Sequence, residues 1–379
     1  MTLFDRYVMR LFIRVALVCF SGMAGLYCVF DAFNNMDEMV ELGKKLGGIP
    51  VVLADYYGPR IPWFFDRTSA LIALIGALFA VNSLQRTNEL TAVMAAGISK
   101  ARVIRPIIAV VCFVAVLAAA NRELVLPQVR DRLVRNAQDW QGQNAQPVQP
   151  TTDNRTEILL NGKAVYVGQN RVEQPNFQLY QGYGQFGRYL QAANAYYHGA
   201  ENGRPAGYLL DEVTDPVAPA AHASVVVDGS PVILTPRDHN WLRPNQLFVV
   251  SDISFPQLAG GNAWRRYSST PELIRELRNP SLDFGLDTRV TVHARFVQPF
   301  LDMTLFFLGL PLVLTRENRN IFVAVGWCFL VVLIFFLVVV GCQALGNSGY
   351  LLTPSLAAWF PLIIFVPIAA VVSQSIWRK

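Results

Sequence analysis

The stretch that decides the fold is residues 320–377, NIFVAVGWCFLVVLIFFLVVVGCQALGNSGYLLTPSLAAWFPLIIFVPIAAVVSQSIW, which contains no Asp, Glu, Lys or Arg. One helix needs ~20 apolar residues to cross the hydrocarbon core of a bilayer. The 58 residues of this stretch are therefore enough for two crossings. Gly346, Asn347, Ser348 and Gly349 interrupt the apolar sequence, and we expect the chain to reverse direction at residues 343–353.

The rest of the chain has the same apolar character on both sides of a polar middle. The sequence is 53% hydrophobic and only 16% charged, whereas a typical soluble domain is ~25% charged. Six membrane spans are predicted, at residues 11–30, 63–84, 103–120, 296–314, 321–342 and 352–376. The first apolar stretch is long enough to remain in the membrane, and no small-residue cleavage site follows it, so we expect no cleaved signal peptide. The predicted fold class is a membrane α-helical protein with three plus three spans and an inserted all-β domain.

The predicted domain boundaries follow this division. Residues 1–126 hold spans one to three, with a short helix at about 88–99 in the loop between spans two and three. Residues 127–292 form the inserted domain, and residues 293–379 hold spans four to six.

Orientation is predicted from the excess of Lys and Arg in cytoplasmic loops. An N-terminus inside the cell and six crossings place both termini in the cytoplasm and the inserted domain outside. The basic residues assigned to the cytoplasmic side are Arg6, Arg10, Arg86, Lys100, Arg102, Arg105, Arg316, Arg319, Arg378 and Lys379. The net charge of +5 is thus mostly a consequence of topology, and we expect no nucleic-acid binding because the basic residues do not cluster with aromatics.

The inserted domain has the pattern of a sandwich or jelly roll built of short strands. Turn residues separate seven runs that are rich in Val, Tyr, Leu and Phe, at residues 157–160, 163–168, 176–181, 188–197, 207–212, 224–234 and 246–251. An amphipathic helix is predicted at residues 271–278. Five tyrosines either fill the core or line a slot for a lipid or a partner strand: Tyr180, Tyr183, Tyr196, Tyr197 and Tyr208.

Enzyme chemistry is poorly supported, so we expect no catalytic residue, no metal site and no cofactor. The four histidines lack metal-ligand spacing, and the sequence contains no GxxxxGK[ST] phosphate loop. If ATP powers the protein, a separate chain must bind it. One ionisable residue, Asp302, falls inside a predicted span, where it is expected to face a cavity, a partner helix, a cation or interfacial water.

The loop between spans two and three, QRTNELTAVMAAGISKAR at residues 85–102, carries a short helical pattern. Leu90, Val93, Met94 and Gly97 recur at i, i+3, i+4 and i+7, and Asn88 is a candidate N-cap residue. We expect this helix to have no core of its own. Its apolar stripe would then lie either on the membrane or in the groove of a partner, and the residues leave both alternatives open.

Several segments resemble the YjgP/YjgQ family, the LptF and LptG permease subunits of the lipopolysaccharide exporter. They are DRYVMRLF at the N-terminus, NELTAVMAAGIS in the loop, NRELVLPQVRDRL after span three, HARFVQPFLDMTLFFLGLPLVL at span four and PSLAAWFP at span six. The loop motif is the more specific signal, and the resemblance extends over essentially the whole chain. The DRY tripeptide and the acidic segment after span one are somewhat more LptG-like.

The resemblance implies a transport function without catalysis in this chain. The subunit would pair with a paralogous permease as a heterodimer in the bacterial inner membrane, and a cytoplasmic dimer of the ATPase LptB would dock on the loop helices. The periplasmic jelly roll would join those of LptC and LptA in a bridge that receives lipopolysaccharide. The residues that match the ATPase-coupling motif are Glu89, Leu90, Ala95, Gly97 and Ser99.

The substrate side departs from the family pattern. The basic residues expected near the outer end of span one have no clear match, and the candidates for binding lipid phosphates, by position and charge alone, are Lys44, Lys45, Arg60 and Arg67. An alternative function is a membrane-anchored periplasmic interaction or sensor module without transport, which would need only one or two spans. A second alternative is a mechanotransmission ABC permease, which would have four spans and a long external helical coil.

Overall fold

The structure is a computed structural model that describes residues 3–134, 145–180, 183, 185–201, 203–227, 229–282, 285–314 and 321–377, without side-chain detail at 45–46, 260–263, 313–314, 321–325 and 375–377. Arg316, Arg319, Arg378 and Lys379, which the orientation argument uses, lie outside the described residues. The chain divides into two compact units. The first combines Met1–Val129 with Gly285–Lys379, and the second is Arg130–Phe284.

The first unit is helical. Its helices are α1 (Leu3–Asn34), α2 (Met36–Leu46), α3 (Ile49–Tyr57), α4 (Arg60–Arg86), α5 (Glu89–Ala95), α6 (Lys100–Ala120), α7 (Leu126–Val134, which continues into the second unit), α10 (Leu286–Leu314), α11 (Ile321–Ser348) and α12 (Pro354–Trp377). Within the described residues, five helical segments are long and apolar enough to cross a membrane: Leu3–Asn34, Arg60–Arg86, Lys100–Val134, Gly326–Ser348 and Pro354–Gln374. The predicted fourth span lies within α10. The chain is a multi-pass membrane protein.

Two apolar clusters hold these helices together. One joins the start of α1 to α4, α5, α6 and α10 through side chains such as Phe12, Leu84, Ile107 and Phe306. The other packs α10 against α4, α11 and α12, with Leu305, Phe335 and Phe365 at its centre. The chain reverses between Ser348 and Pro354, inside the predicted turn.

The second unit contains one antiparallel sheet of nine strands. They are β1 (Thr151–Asp153), β2 (Ile158–Leu160), β3 (Gly162–Tyr166), β4 (Arg171–Leu179), β5 (Tyr189–His198), β6 (Gly207–Asp215), β7 (Val225–Val227), β8 (Ser230–Leu234) and β9 (Leu247–Val250). The order across the sheet is β1-β2-β4-β5-β6-β9-β8-β7, and β3 also pairs with β4. The sheet curls around an apolar cluster that includes Phe177, Leu190, Tyr208 and Leu247, in agreement with the predicted inserted β domain. A smaller cluster contains Leu234, Leu242, Phe248 and Val250.

Two helices follow the strands. The predicted helix at residues 271–278 is present as α9 (Thr270–Leu277), which begins with a capping box between Ser269 and Glu272. Sequence reasoning missed α8 (Phe255–Tyr267), and the prediction that this domain contains strands with only one short helix was wrong there.

The tyrosines of the β domain differ in burial. Tyr208 is fully buried and donates a hydrogen bond to the Ile253 carbonyl at 3.1 Å. Tyr183 is buried and its hydroxyl donates to the Thr156 carbonyl. Tyr180, by contrast, is 59% exposed. Core filling therefore explains Tyr183 and Tyr208 but not Tyr180.

Candidate functional site

The candidate site is the segment between α4 and α6, residues 87–99, which we call the α5 loop. Leu90 is 5% exposed and belongs to the same apolar cluster as Val8, Phe12 and Ile104. Val93 and Met94 are partly buried and pack against that cluster. The expectation that this helix has no core of its own was wrong, because its apolar stripe is buried in the helical unit of its own chain.

The two ends of α5 are defined by residues with positive φ. Asn88 occupies the N-cap position with φ 58°, and its side chain makes no capping hydrogen bond to the described residues. After the helix, Gly97 has φ 80°. Its amide donates to the Met94 carbonyl at 2.9 Å, and the Ile98 amide donates to the Val93 carbonyl at 3.2 Å. This pair of bonds is a Schellman motif, which requires a left-handed residue at the position of Gly97.

The face of the α5 loop that points away from the core consists of small side chains. Ala95, Gly97 and Ser99 are exposed, and so are Thr91, Ala92 and Ala96. Ile98 is the larger apolar residue on this side and is 43% exposed. An ideal Cβ built at Gly97 meets no atom within 4 Å. The result is a shallow surface, supported from below by buried Leu90, that another protein can approach closely.

Polar contacts from α1 reach the first residue of α5 and the first turn of α6. The Tyr7 hydroxyl donates to Glu89 Oε1 at 3.2 Å, at the first residue of α5. Arg102 in the first turn of α6 forms an ion pair with Asp5 at 3.2 Å. Sequence reasoning quoted the DRY tripeptide that contains Asp5 and Tyr7 but assigned it no role. The signal was available, because a polar tripeptide at the start of an apolar span lies at the same membrane surface as the loop.

A second set of polar contacts surrounds Asn121–Val125, a π-helical turn between α6 and α7. Arg122 forms an ion pair with Asp66 of α4 at 2.9 Å, and both side chains are less than a fifth exposed. The Asn121 side-chain amide donates through Nδ2 to the Pro62 carbonyl at 2.8 Å. Arg122 lies 56 residues from Asp66 in the chain, and this pair was not predicted from the sequence.

A comparison with known protein families covers nearly the whole chain. Residues 6–375 match the sequence model of the family described as lipopolysaccharide export system permease LptF/LptG. The chain belongs to this family. The match includes the α5 loop, the inserted β domain and the helices on both sides of it. No curated protein matches the chain. The family model covers LptF and LptG together, so the LptG-like assignment stays a prediction.

The predicted phosphate-binding residues of this LptF/LptG chain lie in different environments. Lys44 on α2 and Arg67 on α4 are exposed. Arg60 is 8% exposed, and its guanidinium both donates to the Tyr56 carbonyl at 2.8 Å and lies over the Tyr56 ring at 3.4 Å. The side chain of Lys45 lies outside the described residues. The structure thus leaves Lys44 and Arg67 accessible to a lipid and engages Arg60 within the chain.

Asp302 lies in the middle of α10, where it accepts a hydrogen bond from Gln298 Nε2 at 2.7 Å, one helical turn away. It also lines a small cavity between α4, α6 and α10, together with Ser69, Ala73 and Val111. Of the surroundings that the sequence allowed for this acid, the structure provides a cavity inside its own helical unit.

Proposed function

We propose that this permease is one subunit of an ATP-driven exporter that extracts lipopolysaccharide from the inner membrane and passes it to a periplasmic bridge of β-jelly-roll domains. Its partners are a paralogous permease, with which it forms a heterodimer, a cytoplasmic LptB ATPase dimer, and the periplasmic proteins LptC and LptA. Both termini and the α5 loop face the cytoplasm, and the β domain faces the periplasm. Family membership supports the substrate, and the α5 loop supports the coupling to ATP hydrolysis.

The observation that supports the proposal most strongly is the exposed face of small residues on the α5 loop, with Leu90 buried beneath it. A helix of seven residues is too short to be stable alone. Leu90 fixes it to the helical unit, so a force applied to its outer face is transmitted to the spans. Because the sequence has no phosphate-binding loop of its own, that force must come from a separate nucleotide-binding subunit.

Glu89 gives the docking face its charge. Tyr7 binds one oxygen of this carboxylate, and a carboxylate accepts several hydrogen bonds, so Oε2 can meet a basic residue of the ATPase. Removing one partner of a desolvated charge pair at an interface costs about 2–5 kcal/mol. Loss of Glu89 is therefore expected to weaken ATPase binding strongly.

The lipid and bridge sides of the proposal have their own support. Lys44 and Arg67 are exposed cations that can attract the phosphates of lipopolysaccharide. In the β domain, β1 and β7 end the described sheet order and each pairs with one strand only. Unpaired strand edges are templates for another strand, which suits the addition of LptC-type and LptA-type β domains.

The proposal is tested by placing a charge on the exposed face of α5. Ala95→Arg adds a bulky cation to this face without touching the buried stripe, and we expect the ATPase to be lost from the affinity-purified complex. Tyr350→Arg is the matched control, because Tyr350 is 93% exposed in the segment between α11 and α12.

The buried side of the same helix supplies a second comparison. Val93→Ala removes two methyl groups that pack on the core, so it should lower thermal stability while the ATPase stays bound. Retention of a fully active, coupled ATPase by Ala95→Arg would contradict the assignment of this face as the docking surface. A wild-type complex that copurifies with no ATPase would instead favour a membrane-anchored module without transport.

A further inference from the structure

The start of α1 is packed differently from the rest of that helix. Asp5, Val8 and Phe12 are the buried residues of this 32-residue helix, and all three fall in its first ten positions. Their spacing of three and then four residues places them on one helical face. Val8 and Phe12 are fully buried in the cluster that contains Leu90 of α5. The α5 loop and the first turns of α1 therefore share one packed core.

Beyond these turns, few residues of α1 are buried by the chain itself, although Phe20 still contacts the Phe64 and Phe65 rings of α4. In the most apolar window of each span, 6% of residues are buried in α1, against 50% in α4 and 44% in the segment Lys100–Val134 that begins with α6. Leu17 and Val18, beyond the buried turns, are 59% and 67% exposed. The far end of α1 is held as well, because the Tyr57 hydroxyl donates to Asp31 at 2.9 Å and the Tyr27 ring contacts the rings of Tyr57 and Phe64. Helix α1 therefore connects the α5 loop to α3 and the start of α4.

Two polar contacts close this packed core at the surface. The Asp5 side chain is 8% exposed and forms its ion pair with Arg102 in the first turn of α6. The Tyr7 hydroxyl binds Glu89, the first residue of α5. The Tyr7–Glu89 hydrogen bond holds α1 to α5, and the Asp5–Arg102 ion pair holds α1 to the first turn of α6. A shift of α5 relative to α1 would therefore strain the Tyr7–Glu89 contact.

We propose that Asp5 and Tyr7 are positioning residues that pass movement of the α5 loop to α1, so that ATP hydrolysis acts on the lipid through α1. This inference rests on the proposed function, since it assumes that an ATPase moves α5. A partly buried carboxylate paired with Arg resists separation because breaking the pair leaves a charge poorly solvated. The Asp5–Arg102 ion pair therefore resists separation more strongly than the exposed Tyr7–Glu89 hydrogen bond does.

The test uses the complete exporter, with ATPase and partner permease, in lipid nanodiscs. The variants are Asp5→Arg, Arg102→Asp, the double swap, and Tyr7→Phe, with Arg6→Gln as an exposed control on the same helical turn. Three quantities are measured: the amount of ATPase bound, the rate of ATP hydrolysis, and the lipopolysaccharide released per ATP hydrolysed.

Each single charge variant should bind the ATPase and hydrolyse ATP while releasing about tenfold less lipid per ATP, the scale of coupling expected for contacting residues. The double swap should restore release to about half the wild-type value or more, since it reforms the ion pair. Tyr7→Phe removes only a hydroxyl and should lower release about threefold, in line with one net hydrogen bond. Arg6→Gln should match wild type.

Unchanged release per ATP in the single variants and in Tyr7→Phe would overturn the inference. So would low release in both single variants with no recovery in the double swap, because that result indicates two independent structural roles. If the charge variants do not accumulate in the membrane, Asp5→Asn and Tyr7→Phe decide alone, since both preserve side-chain shape. Failure of the proposed function is seen separately, as a wild-type complex that binds no ATPase or releases no lipid.

Discussion

Substitutions at Gly97 can distinguish the backbone conformation that the α5 loop requires from the role of this loop as a docking surface. With φ 80°, it closes the Schellman motif at the end of α5. Two substitutions act differently on these roles. Gly97→Ala adds one carbon atom but disfavours the left-handed conformation. Gly97→Asn adds a larger side chain, whereas Asn is among the residues that adopt this conformation with the least penalty.

The magnitudes follow from the geometry at this position. A left-handed conformation costs a residue with a Cβ roughly 1–2 kcal/mol. No atom lies within 4 Å of the ideal Cβ, so no clash inside the chain adds to that cost. If a partner packs closely against this spot, the extra side-chain atoms of Asn should cost about 1–3 kcal/mol of binding free energy, as overpacking does in cores. Binding of the ATPase would then weaken about 5-fold to 150-fold.

Two measurements resolve the two effects. Amide hydrogen exchange at residues 89–98 reports the stability of the helix end in the permease without ATPase, and the dissociation constant of the ATPase reports docking. We expect Gly97→Ala to speed exchange and weaken docking, and Gly97→Asn to leave exchange nearly unchanged and still weaken docking. Wild-type affinity in Gly97→Asn would refute the assignment of this face as the docking surface and reduce Gly97 to a helix-ending residue.

Three further predictions concern other parts of the chain. Burial raises the pKa of Glu276 in α9 from 4.5 to about 7; because the folded state binds this proton more tightly, stability should fall as pH rises from 4.5 to 7. Glu276→Gln should therefore add roughly 2 kcal/mol above pH 7 and nothing below pH 4.5, measured by thermal unfolding of the chain in detergent. Charge reversal at Lys44 and Arg67 together should weaken lipid-stimulated ATP hydrolysis at low salt and have less effect at high salt, because exposed charges are screened; unaltered lipid dependence would reject both residues. Asp66→Asn should lower the unfolding free energy by about 3 kcal/mol, since it leaves Arg122 poorly paired, and the charge-swapped pair should regain part of that loss.

The helical framework could be predicted from hydropathy because apolar length alone determines which segments cross a bilayer. The uncharged stretch at residues 320–377 became α11 and α12, with the reversal between Ser348 and Pro354 as predicted. Turn residues and alternation predicted seven runs, which became β2 to β9 with the run at residues 224–234 divided into β7 and β8, whereas β1 was not predicted. Helix α8 was missed because Gly260, Gly261 and Asn262 are weak helix formers, although Ser254 and Gln257 form a capping box that is readable in the sequence.

The sequence predicted which residues form the candidate site, but not which side of α5 is buried in the chain. Periodicity shows that Leu90, Val93 and Met94 share a face, but it does not show what covers that face. The covering residues, Val8 and Phe12, lie about 80 positions earlier in the chain. Contacts at such separations, like that of Asp66 with Arg122, depend on how the helices assemble and leave no local signal.

The central claim is that this permease couples ATP hydrolysis to the export of lipopolysaccharide. In the most direct measurement, the purified complex is reconstituted in proteoliposomes that contain lipopolysaccharide. Photo-crosslinking of the lipopolysaccharide to a soluble acceptor of the LptA type is then followed over time. We predict transfer that requires ATP, stops when the ATPase is inactivated, and is lost in the Ala95→Arg variant. Transfer that proceeds equally without ATP, or a complex that hydrolyses ATP and delivers no lipid to the acceptor, would contradict the account.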